Sequence, residues 1–136
     1  MSVAQNLTYS VIQVVHNFGA VATVGGSLSA MAFRGVDTRK KLAKITLGGW
    51  CVQAASGAAF GGTSYYFYHQ FPDIGGIATD ALVIKMSCVA AGILLLATYL
   101  LKSGSWSVAK INGAWHASST LAVIALASAA FLRWFS

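Results

Sequence analysis

Four long apolar stretches, at about 7–33, 42–67, 79–101 and 111–134, are parted by three short polar connections, RGVDTRKK, YHQFPDIGGIA and KSGSWSVAK. Each stretch supplies the ~20 residues an α-helix needs to cross a ~30 Å hydrocarbon core. None alternates apolar and polar positions with period two, which argues against a small outer-membrane barrel. The only proline, Pro72, falls in the second connection, where it interrupts no helix. The pattern predicts an all-α fold, an integral membrane four-helix transmembrane bundle, with residues 1–136 forming a single membrane domain. The first stretch ends near SAMA, a sequence like a signal-peptide cleavage site. It lacks a basic leader and exceeds the usual apolar core of about 7–15 residues, so it is expected to persist as a helix.

Composition agrees with burial in lipid. Of the 136 residues, 57% are apolar and 9% charged, against about 25% charged in a soluble domain. The net charge of +6 does not point to nucleic acid, because Arg34, Arg39, Lys40, Lys41 and Lys44 crowd the junction between the first two apolar runs. Lys102 and Lys110 mark the third connection, while the second holds Asp73, with Asp80 just past its end, and no Lys or Arg. Positive charge retained on the cytoplasmic side then predicts a multi-pass protein of a bacterial-type inner (cytoplasmic) membrane, N-out and C-out. Trp106, Trp115 and Trp134, with Tyr65, Tyr66 and Tyr68, lie near segment ends, as an interfacial belt would. Cys51 and Cys88 sit within apolar runs without metal-ligand spacing and read as small buried side chains.

Ionisable groups inside a membrane are costly and mark function by default. Here they are His16, Lys85 and His116, supported by Gln13, Gln53 and Asn112. Tyr9, Gln13, His16, Ala20, Thr23 and Ser27 recur at three- and four-residue steps and share one face of the first helix. Gly19 and Gly26 lie near that face. On the second helix Gln53, Ser56, Gly57, Phe60 and Ser64 lie on one side, with Gly57 and Gly61 in the small-xxx-small spacing of packed membrane helices. At 1.5 Å per residue, His16 lies roughly 10–13 Å and Lys85 about 9 Å below the outer surface, so both can occupy one layer. His116 enters from the other side, separated from His16 by roughly 12–15 Å in height, which prevents both from ligating one haem iron. The chain has no Glu, and none of its three Asp residues is deep. Lys85 therefore either snorkels to the interface or meets an exogenous partner: a haem propionate, a quinone oxygen or another subunit. His69, in YYFYHQFPD, reads as a loop residue at headgroup level.

The segment VHNFGAVATVGGS, with Gly25-Gly26 at the ninth and tenth positions after His16, resembles the opening helix of membrane proteins of the copper-resistance protein D type and of HemJ-type protoporphyrinogen oxidases. RKKLAKITLGGWCVQAASG is similar to their second helix, and Ile84-Lys85-Met86 looks like the lysine that opens their third. The resemblance implies a haem- or metal-linked histidine at His16 and a functional lysine at Lys85. Thr23 stands where the pattern prefers tryptophan, and Met31 and Met86 alone make a poor Cu(I) route, since such sites need several soft ligands. The expected function is thus a small membrane b-type haem (or haem-handling) protein in electron transfer, more a redox carrier or subunit than a stand-alone enzyme. Its cofactor-binding residues would be His16, Lys85, Gly26, Gln13 and Gly57, with His16 the metal ligand and haem b the cofactor. The alternatives are a non-catalytic accessory subunit of a larger membrane complex and, behind it, a copper-import protein. Expected partners are the lipid bilayer and other membrane subunits or further copies of the chain, with quinone as a further candidate. No hydrolase or phosphoryl-transfer constellation is present.

Overall fold

The computed structural model describes residues 1–136 and contains four α-helices and no strand: α1 (Val3–Ala32), α2 (Val36–Tyr68), α3 (Ile77–Lys102) and α4 (Val108–Phe135). Ser2 and Ser107 cap α1 and α4, their side chains accepting from the backbone N–H of Gln5 and Lys110. These caps satisfy N–H groups that the first turn leaves unpaired. The helix α2 ends at His69, which adopts a left-handed conformation (φ 54°). Gly76, at φ 55°, then opens α3, a backbone state that glycine enters without a Cβ penalty.

Each helix begins before its apolar stretch, α1 and α2 by a turn or more and α3 and α4 by two or three residues. At α2 the reason is visible in the side chains. Asp37 through Lys44 continue the helix because charged residues there reach water, whereas Arg39 turns inward.

The helix α1 packs on α2 and α4, and α3 packs on the same two neighbours. Small residues let them approach. A Cβ at Gly49 would meet Ala22 Cβ at 2.9 Å and the Gly19 carbonyl at 3.0 Å, one at Gly26 would strike Thr46, and one at Gly92 would overlap the Trp50 indole. Twelve of the 27 buried residues are polar or charged and eleven apolar, while Phe18, Val21, Leu94, Leu101 and many other large apolar side chains face outward. That inverts the usual distribution in soluble proteins and suits a lipid surround.

Helices α1, α3 and α4 are each long and apolar enough to cross a membrane. The chain is thus a multi-pass membrane protein. The helix α2 is longer still, at 33 residues, but its first turns carry the basic cluster and its remainder is rich in Gly, Ser and Thr.

One aromatic and one cysteine assignment are corrected. Trp115 does not lie in an interfacial belt. It is 1% exposed and packs edge-on against Tyr99 at 5.1 Å, because its position on α4 faces α3. Cys88 is buried as expected, whereas Cys51 points outward from α2.

Candidate functional site

One helical face of α1, one of α2 and one of α3 converge on His16. The steps of three and four residues that align Ile12, His16, Gly19 and Thr23 turn that face of α1 toward α2, where Gln53 and Ser56 are buried. Gln53 Nε2 donates to the His16 carbonyl. Ser56 Oγ lies 2.6 Å from His16 Nδ1 and donates its own proton to the Val52 carbonyl at 2.5 Å. With the serine proton committed, its oxygen accepts from Nδ1–H. The imidazole is thereby held as the Nδ1–H tautomer, and the lone pair of Nε2 points away from α2.

That lone pair meets Lys85, whose Nζ stands 2.7 Å from His16 Nε2. The two side chains come from α1 and α3, helices that both pack chiefly on α2 and α4. Lys85 is half-buried and does not snorkel clear of the helices. Its partner is internal, an outcome outside both sequence readings of this lysine. Phe60 closes one side of the ring edge-on at 5.8 Å, and Tyr9 stacks beyond it on Phe60 at 6.2 Å.

The remaining sequence candidates do not join this cluster. Gln13 faces outward and bonds Asn17 along its own helix at 2.7 Å. Gly26 lies ten residues further down α1, sealed by Thr46. Gly57 is exposed, with open space where a Cβ would stand. His69 is exposed at the end of α2, and His116 is exposed on α4, where only its carbonyl is engaged, by Thr120. Met31 accepts from Ser119 while Met86 faces outward, so the two thioethers do not converge.

Sequence reasoning passed over a second polar node. Arg39 is 5% exposed, its Nε donating to the Ala30 carbonyl at 2.9 Å and Nη1 to Asn112 Oδ1 at 2.9 Å. The signal for it was Asn112, a polar residue early in an apolar helix. Ser27 and Ser118, 2.7 Å apart and fully buried, tie α1 to α4 between the two nodes.

Comparison with protein-family models, with curated proteins and with solved structures returned no match.

Proposed function

We propose that the chain is a transmembrane four-helix bundle of the bacterial-type inner membrane that binds haem b through His16, acting as a small electron-transfer or haem-handling protein. The observation that carries this reading is the 2.7 Å approach of Lys85 Nζ to His16 Nε2. The histidine and lysine that the family resemblance implicates are 69 residues apart, yet they meet.

The donor chemistry would suit a single histidine ligand. A ligating imidazole normally donates its other N–H to a neighbouring acceptor, which fixes the tautomer, and Ser56 takes that place at Nδ1. Nε2 would be the nitrogen that holds the iron, and the Lys85 ammonium beside it would balance a carboxylate such as a propionate. Tyr9 and Phe60 give the site an aromatic wall, and Gly57 leaves open space on α2. Gly19 and Gly26 are closed by α2 and serve helix packing instead. When bound, haem supplies one-electron redox chemistry, and the protein's share is to orient the ligand, place a cation and limit solvent access.

A reduced-minus-oxidised visible spectrum of the purified protein, with a pyridine haemochrome assay, tests the reading. A stoichiometric b-type signal supports it. A colourless protein that copurifies with larger membrane proteins favours the accessory-subunit role, with His16 and Lys85 as an interhelical tie.

A further inference from the structure

Arg39 is a buried cation without a buried anion. Its two protein partners, the Ala30 carbonyl and the Asn112 amide oxygen, are both neutral. The C-terminal carbonyls of α1 offer only a partial negative charge, and leaving a desolvated charge uncompensated is costly. A guanidinium has five N–H donors, and two are used. The buried polar side-chain atoms sealed without a partner are Thr46 Oγ1, Trp50 Nε1 and Trp115 Nε1. Arg39 Nη2, which makes no hydrogen bond within the chain, is not among them and so keeps a small solvent-exposed surface.

The surroundings specify what reaches them. Arg34, Lys40, Lys41 and Lys44 are exposed beside Arg39 in the chain, and Lys110 lies over the Trp106 ring at 4.4 Å. Exposed Phe33, Val36 and Val108 stand at the same end of the helices. A fixed guanidinium at the basic end of the helices, with exposed lysines next to it in the chain and apolar residues at the same end, matches a phosphodiester carrying acyl chains. Basic pockets between membrane helices bind anionic headgroups in this way, and the fork suits phosphate oxygens better than a lone ammonium does.

We propose that Arg39, at the junction of α1, α2 and α4, binds the phosphate of an anionic phospholipid in the leaflet at the basic end. This inference rests on membrane placement and is independent of the haem reading. The site completes the charge of Arg39 and makes the α1–α2–α4 junction responsive to lipid composition.

The test is native mass spectrometry of the full chain released from nanodiscs holding equal phosphatidylglycerol and phosphatidylcholine. The wild type should retain phosphatidylglycerol in preference by at least about fivefold, the scale of one interfacial cation. Arg39→Gln should lose most of that preference, while the combined Lys40→Gln, Lys41→Gln and Lys44→Gln variant should keep most of it. Arg39→Lys, which retains charge without the fork, should fall between, and it carries the comparison if Arg39→Gln does not insert. A parallel titration of inorganic phosphate into detergent-solubilised protein should leave the thermal unfolding midpoint unmoved. Equal retention of both lipids by the wild type, or a preference lost with the lysines and kept without Arg39, overturns the proposal. Stabilisation by free phosphate matching that by lipid overturns the lipid assignment.

Discussion

Lys85 Nζ and His16 Nε2 lie 2.7 Å apart, and Ser56 holds the opposite ring nitrogen at 2.6 Å. A histidine so fixed presents a single nitrogen in a single orientation to Lys85. The serine is therefore as much a part of the site as the two ionisable residues.

Ser56→Ala should free the ring. With its acceptor gone, Nδ1–H is left without a partner inside the helices, at a cost of about 1–3 kcal/mol. Imidazole ¹⁵N spectra should show one Nδ1–H tautomer in the wild type and a mixture in the variant, with a lowered unfolding midpoint. A spectrum unchanged by the substitution would show that Ser56 does not set the tautomer.

The double glycine divides into two unlike residues. Gly26 abuts Thr46 across the α1–α2 contact, whereas nothing stands within 4 Å of a Cβ at Gly25. Gly26→Leu should separate the helices and destabilise the fold by about 1–3 kcal/mol, the range of overpacking. Gly25→Leu should be neutral or stabilise by up to about 1 kcal/mol through helix propensity. Thermal unfolding in detergent reads both, and equal losses would refute the packing assignment.

Much of this arrangement is written in the sequence, and its limits have physical causes. Hydropathy over 20-residue lengths located the helices, and helical periodicity with rise per residue placed His16 and Lys85 in one layer. Periodicity also put Gln53 and Ser56 on a shared face of α2. It did not say which face of α1 that surface would meet, because several faces carry small residues. Gly26 reads from sequence as a cofactor-binding residue because small side chains permit both ligand access and helix contact; only the neighbour Thr46 decides between them. Arg39 was hidden by its charge. A basic residue in a basic segment reads as solvated, and its burial depends on Ala30 and Asn112, the latter 73 residues away.

Topology is accessible to labelling. The basic residues of the first connection predict that it faces the cytoplasm and that the α2–α3 connection faces outward. Single cysteines in a background lacking Cys51 and Cys88, placed at Thr38 and Gly75, should react with an impermeant maleimide from opposite sides. Reaction of both from one side would remove the N-out, C-out arrangement.

The most direct test of the central claim is haem content per chain in wild type, His16→Ala, Lys85→Met and His116→Ala, measured together by pyridine haemochrome with helicity as a folding control. Loss of a coordinate bond should abolish retention in His16→Ala. Loss of a partly solvated cation should only weaken retention or shift the midpoint potential in Lys85→Met. His116→Ala should match wild type, since that side chain is exposed on α4 and takes no part in the His16 cluster. Full haem content in folded His16→Ala, or none in the wild type, would contradict the account and leave His16 as an interhelical hydrogen-bonding residue.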